Sequence, residues 1–291
     1  MDLLIVIVLG LVQGIIEFFP VSSSGHMVLL EKLIGFHVRA LPLHLFLHIG
    51  TSLAVVFTLR RDVFRLVVEC GRMIGDLFGN LKIFAQGVRR GEDPAYTKIV
   101  RTNYRKLVML LLAASLPMAV IGVLLVKTAE VMSQSLMYTG AGFLLTAILL
   151  LVSSMIRPGD ELPRDIPYWK MCLIGCLQVL SVLPGVSRFA VTLSGGILSG
   201  MSRQSAVRIS LLLLLPASFG SLIAEYTLPV MPGIPVGRAL LMCIVGGAAA
   251  FAAGMFAIRQ VLRFVRVRKL NGFSYYCFAV GIVSVILSFV L

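Results

Sequence analysis

The chain has 291 residues, 58% of them hydrophobic and only 13% charged, with a mean hydropathy of +0.99. A soluble domain carries nearer a quarter charged residues, so a soluble globular fold is excluded and a polytopic membrane protein is expected. A formal charge of +13 would suggest nucleic acid for a soluble chain, but here Lys and Arg gather in connecting segments and no basic reading helix is present, so no nucleic-acid partner is expected.

Apolar runs fall at 2–19, 26–36, 43–59, 107–126, 136–156, 169–183, 189–200, 207–224, 238–258 and 273–291. Runs of about 20 residues match the roughly 30 Å hydrocarbon core. Stretches such as "LLLLLPASFGSLIA" do not alternate as barrel strands would, so the spans are helical. The opening "MDLLIVIVLG" has no basic n-region and no small-residue cleavage site, so a removed signal peptide is not expected. The pairs 2–19 with 26–36 and 169–183 with 189–200 are each split by a polar, Pro/Gly-containing break, and the second member of each is too short to span. Each pair reads as a re-entrant hairpin, leaving six full spans, three after each hairpin.

The halves also resemble each other at an offset of 165 residues: Gly10, Gln13, Val21, Ser22 and Gly35 fall opposite Gly175, Gln178, Val186, Ser187 and Gly200. The expected architecture is therefore all-α, one membrane domain over 1–291 built from two inverted repeats. The first covers 1–156 with a basic loop at 60–106, and the second covers 169–291. Eleven of the 26 Lys/Arg lie in 60–106, with further clusters in 157–170 and 259–272. All three segments are separated by even numbers of spans and are expected in the cytoplasm. The opposite side keeps Lys32, Arg39, Lys127 and, at a boundary, Arg238. An odd number of spans per half inverts the second hairpin relative to the first and brings both tips toward the midplane. Loop 60–106 is expected to contact anionic lipid, with its apolar patches at 64–74 and 81–88 on the membrane surface.

A broken helix leaves unpaired N–H groups at the start of its second half, and in lipid these need protein, water or ligand. In the first hairpin Pro20 ends the entering helix and Ser22, Ser23 and Ser24 are N-cap residues. In the second, Pro184-Gly185 makes the break and Ser187 is the cap. Two helix N-termini facing one cavity favour an anion, phosphate above all, and the planar fork of Arg188 suits phosphate oxygens. Glu17, an acid in an apolar segment, reads as functional. His26 beside three serines reads as catalytic. Gln13, one helical turn before Glu17, either orients that carboxylate or is structural. His44 and His48 form another pair four apart with no acidic third ligand in view. The five cysteines, including Cys172 and Cys176, read as small buried apolar side chains.

"QGIIEFFPVSSSGHM" and "LPGVSRFAVTLSGGILSGMSRQSA" resemble the two signature regions of the integral-membrane undecaprenyl-pyrophosphate phosphatase family of bacitracin-resistance type. The resemblance covers nearly the whole chain. Gln13 takes the non-acidic alternative at the first acidic position of that family's pattern, and Phe189 replaces its usual second serine. The resemblance implies hydrolysis of a C55 polyprenyl pyrophosphate to the monophosphate and inorganic phosphate, recycling the lipid carrier of cell-wall polymers. It implies a bacterial plasma-membrane location with a site reached from the periplasmic leaflet, a homodimer as one assembly, and a divalent cation, Mg²⁺ or Ca²⁺, as a possible cofactor on Glu17. Arg188 and the helix N-termini would hold the pyrophosphate, with Gln13, Ser22, Ser24, Ser187 and Thr192 lining it. Ser23 is the candidate nucleophile, with Ser22 and Ser24 as alternatives. His26 is its base or the leaving-group acid, direct attack by His26 is the rival scheme, and Glu17 orients His26 or binds the cation. The same pocket could instead serve a polyprenyl-phosphate transporter, or a lipid-binding protein without chemistry.

Overall fold

The fold is seen in a computed structural model that describes residues 3–34, 42–90, 95–224, 235–266 and 270–290. Gly35 and Arg39, named above, lie outside the described residues, as do Arg268 and Lys269 of the basic cluster in 259–272. Among those described, the regular structure is helical: α1 (Leu3–Ile16), α2 (Ser23–Ile34), α3 (Pro42–Thr58), α4 (Arg60–Arg90), α5 (Asn103–Ser133), α6 (Leu136–Met155), α7 (Tyr168–Val179), a single 3₁₀ turn (Leu180–Val182), α8 (Arg188–Leu198), α9 (Arg203–Ala224), α10 (Val236–Arg266) and α11 (Leu270–Leu287). Local chemistry sets several starts. Thr102 accepts from the Arg105 N–H to open α5, and Ser135 accepts from the Met137 N–H to open α6.

The chain is a multi-pass membrane protein. Among the described residues four helices, α5, α6, α10 and α11, are long and apolar enough to cross a bilayer. The expected third span of each half is less plain. Helix α3 is short and bends by 92° into α4. Helix α9 carries Arg203 and Arg208 in its first two turns, and its middle, Leu211 to Leu214, is buried in protein rather than facing lipid. The segment 60–106 is not a loop. Most of it is the 31-residue helix α4.

Lipid offers helices no hydrophobic reason to associate, so close backbone approach through small residues does that work. A Cβ on Gly10 or Gly14 of α1 would lie 2.4 Å from the Gly246 or Ala250 carbonyl oxygen of α10. Gly175 of α7 meets the Ala114 carbonyl of α5 at 2.2 Å in the same sense, and Gly50 of α3 meets the Gly247 carbonyl of α10 at 2.1 Å. The extensive helix pairs are α1 with α10, α3 with α10, α5 with α7, and α6 with α11. The largest core joins Phe18, Leu110, Ile174, Phe189, Leu211 and Val261, drawing both hairpins and the long helices onto one centre.

Candidate functional site

At the first tip α1 ends, the chain turns through Glu17 to Val21, and α2 begins at Ser23. Ser22 carries φ +67°, the left-handed region that a non-glycine residue enters at a cost of about 1–2 kcal/mol. Its neighbours hold it there. The Gly25 N–H donates to Ser22 Oγ at 3.2 Å, Ser24 Oγ lies 3.2 Å from the same oxygen, and His26 Nδ1 is 2.7 Å from the Ser22 carbonyl. The bend swings α2 back beside the end of α1. Ser23 Oγ there donates to Glu17 Oε2 at 2.5 Å, and Gln13 Nε2 donates to the same oxygen at 3.0 Å. The Ser23 contact falls in the short range of hydroxyl-to-carboxylate bonds. Gln13 and Glu17 are buried, while Ser23, Ser24 and His26 are partly open.

Two sequence-based assignments change here. The partner of Ser23 is Glu17, not His26, and among the described residues the His26 ring bonds to the Ser22 carbonyl and Tyr276 rather than to Glu17. A carbonyl oxygen can only accept, so Nδ1 of His26 carries the proton and, in the neutral ring, Nε2 carries the lone pair. That lone pair faces the Tyr276 hydroxyl at 2.7 Å, with the two rings 3° from parallel. Phe143 meets the His26 ring edge-on at 5.0 Å.

At the second tip Ser187 caps α8, accepting from the Ala190 N–H at 3.2 Å. Gly185 (φ +85°) makes the bend, where a Cβ would lie 2.1 Å from the Thr139 carbonyl oxygen. Thr146 of α6 locks this turn: its hydroxyl lies 2.9 Å from the Gly185 carbonyl and accepts from the Ser187 N–H at 3.0 Å. Helix geometry leaves the Arg188 and Phe189 N–H groups unpaired within α8. Arg188 Nε reaches Ser181 Oγ at 3.4 Å, and its Nη1 is buried without a hydrogen-bond partner among the described residues. Such a guanidinium nitrogen is costly unless an anion completes it. Thr192 turns its hydroxyl back to the Arg188 carbonyl at 3.0 Å. Phe189 is buried in the central core, so it anchors α8 rather than lining the opening.

The tips touch. A Cβ on Gly25 would lie 2.8 Å from Gly185 Cα and 2.6 Å from Phe143 Cζ. Helix α6 is the wall behind both, through Phe143 for the first and Gly142 and Thr146 for the second. Arg188, 162 residues beyond His26, therefore starts a helix whose preceding turn packs on the first tip.

The description "Bacitracin resistance protein BacA" matches residues 6–283. The chain belongs to the BacA family. Proteins named undecaprenyl-diphosphatase are similar over nearly the full length of both chains: one from Korarchaeum cryptofilum is 35% identical over 97% of this chain and 98% of its own. One from Alkaliphilus metalliredigens is 33% identical over 97% of each, and one from Desulforapulum autotrophicum 32% over 98% of each. In this BacA-family chain the site residues that sequence reasoning missed are Tyr276, Thr146 and Phe143. Thr146 and Tyr276 each bear a hydroxyl in a largely apolar run, and nothing local ties Thr146 to the second turn or Tyr276 to His26.

Among the described residues no three His, Cys, Asp or Glu side chains converge as a metal cage. His44 and His48 pack edge-to-face at 4.6 Å within α3. A hard cation at this tip would rest on the Glu17 carboxylate and on substrate phosphate oxygens, a manner of binding that suits Mg²⁺. Cys243 and Cys277 are buried as expected, but Cys172 and Cys176 are exposed, because α7 packs through its opposite side, Met171, Ile174, Gly175 and Gln178.

Proposed function

We infer that this BacA-family chain hydrolyses undecaprenyl pyrophosphate to the monophosphate and inorganic phosphate. The observation that carries the reading is the 2.5 Å contact between Ser23 and Glu17 at a tip that packs against the turn leading into Arg188. The relatives' printed name, undecaprenyl-diphosphatase, supplies the substrate class.

Arg188 and the first-turn N–H groups of α2 and α8 hold the pyrophosphate, and the charge that develops on its oxygens falls where donors already stand. Glu17 takes the Ser23 proton as Ser23 Oγ attacks the terminal phosphorus. The anhydride P–O bond breaks and the polyprenyl monophosphate leaves. Once Glu17 has released that proton to solvent, water attacks the phosphoserine phosphorus, Glu17 takes the water's proton, and it returns it to Ser23 Oγ as the Ser23 O–P bond breaks and inorganic phosphate leaves. Gln13 orients Glu17 throughout. His26 and Tyr276 form the pair from which a proton can pass to the leaving phosphate, and His26 also buttresses the strained Ser22. Ser24 and Ser187 hold the two turns in shape. A divalent cation on Glu17 would neutralise phosphate charge when bound.

The site opens toward the outer leaflet of a plasma membrane in this reading, and the two halves are inverted repeats. Support comes from exchange symmetry in the packing: α1 rests on α10 as α7 rests on α5, while α6 and α11 pair with each other. The same symmetry favours a second reading, transport of a polyprenyl phosphate.

One assay separates the readings: phosphate release from a polyprenyl pyrophosphate by purified protein. Ser23→Ala and Glu17→Gln are expected to lower turnover by about 10²–10⁴ while substrate still binds. Arg188→Lys is expected to recover little of the roughly 10²–10³ lost in Arg188→Ala, because the charge returns without the fork. Substrate binding with no phosphate release by the unaltered protein would favour transport. Near-normal release by Ser23→Ala would replace serine attack with attack on the terminal phosphorus by His26 or by a water that Glu17 deprotonates.

A further inference from the structure

We propose that α4 is an interfacial helix, seating its apolar face in the acyl layer of the bilayer and its basic edge on anionic phospholipid headgroups. Helix α4 cannot cross a membrane by itself, since Arg60, Arg61, Asp62, Arg65, Glu69 and Arg72 crowd its first half. It leaves α3 at 92°, which turns it into the membrane plane when α3 is upright. Its polar face is covered by the chain's own return segment. Asn80 and Thr97 exchange two 2.8 Å bonds, Arg101 meets Asp76 at 2.7 Å, and Arg105 meets Glu69 at 2.8 Å and Asp76 at 2.5 Å. These contacts fix the roll of the helix.

The opposite face is thereby presented outward. It bears Phe64, Val67, Phe78, Leu81, Phe84 and Val88, each between 53% and 71% exposed. An apolar strip of this length on a helix that does not span fits the headgroup–acyl boundary. Along one border of the strip stand Arg61, Lys82 and Arg89, all exposed and without an ion-pair partner among the described residues. That charge selects anionic over zwitterionic headgroups. A second copy of the chain is the poorer occupant. The approach it would use, Gly71, Gly75 and Gly79, faces open space on this same border, and five helical turns place Gly71 under Arg89 and Gly79 over Arg61. Two copies meeting there would bring like charges together.

The test uses the full chain freed of its native cysteines, with Phe78→Cys or Arg72→Cys carrying an environment-sensitive dye, in phosphatidylcholine vesicles with and without phosphatidylglycerol. The dye at position 78 is expected to be quenched by nitroxides on acyl chains and shielded from aqueous iodide, and the dye at 72 to show the reverse. Nitroxide-bearing phosphatidylglycerol is expected to quench position 78 more than nitroxide-bearing phosphatidylcholine. Changing Arg61, Lys82 and Arg89 together to Gln is expected to remove that preference while leaving the depth unchanged. Equal iodide access at 78 and 72 would overturn the proposal, as would the absence of a lipid preference. Shielding at 78 that fades as protein is diluted in lipid would mean that a second copy covers the face, and would also overturn it.

Discussion

Ser22 is the residue on which the first tip turns. A left-handed serine persists only where its surroundings over-determine it, and such strain gathers at functional sites. Here the Gly25 N–H, the Ser24 hydroxyl and the His26 ring all engage Ser22, and the bend they secure places Ser23 on Glu17. Tyr276 then completes His26. Tyr276→Phe removes the donor to Nε2 but keeps the parallel ring. A hydrogen bond of this kind contributes about 0.5–1.5 kcal/mol, so kcat is expected to fall about two- to tenfold with little change in KM. Steady-state kinetics on the polyprenyl pyrophosphate checks this, and an unchanged kcat would show that the tyrosine only packs. Gln13 lies at the legible end of the scale. Its place one turn before Glu17 fits orienting that carboxylate, lining the pocket or a structural role, and in the fold its Nε2 donates to Glu17 Oε2 at 3.0 Å.

The elements that matter most are the two half-helices and α4. The caps of α2 and α8 follow from local sequence, because a serine before a helix finds its own third N–H. The contact between the tips follows from what is missing at Gly25. Adding a methyl there drives it against Phe143 and the backbone of Gly185, and backbone cannot yield as a flexible side chain can. Gly25→Ala is expected to cost about 1–3 kcal/mol and to lower the unfolding temperature and turnover together. A fully active, equally stable variant would show that the tips stand apart in the membrane.

Helix α4 makes a pH prediction. The Arg105 guanidinium holds the Glu69 and Asp76 carboxyls below the usual carboxylate range, with Arg72 assisting at Glu69 and Arg101 at Asp76. Groups lowered on folding contribute stability that is fully present above the unfolded value, about 4, and is lost as pH falls through the lowered values. Protease cleavage in α4 is therefore expected to stay flat from neutral pH to about 5 and to rise only below about 4. A rise near pH 6 would point to another group.

At the scale of the whole molecule, the question is how two hairpins distant in sequence share one site. The structure shows the tips touching against α6, and on the proposed inverted repeat they would enter from opposite faces. If the halves are inverted, single cysteines at positions 72 and 130, in a cysteine-free background, are expected to react with impermeant reagents from opposite sides. Reaction of both from one side would end that arrangement.

By itself, the sequence determined the membrane setting, the helical class, the two broken helices with their serine caps, and the candidate residues Glu17, Ser23 and Arg188. Each of these depends on composition or on neighbours within about one helical turn. The tertiary structure decided what depends on residues far apart in sequence. It paired Ser23 with Glu17 rather than His26, brought Tyr276 to His26 from 250 residues away, and set Thr146 across the second turn. It also sent Phe189 into the core, made a helix of what read as a loop, and turned Cys172 and Cys176 outward. The physical reason is the same in every case. A backbone hydrogen bond or cap is satisfied within its own turn, whereas which face of a helix meets which neighbour depends on close-packed backbones whose registers no local pattern encodes.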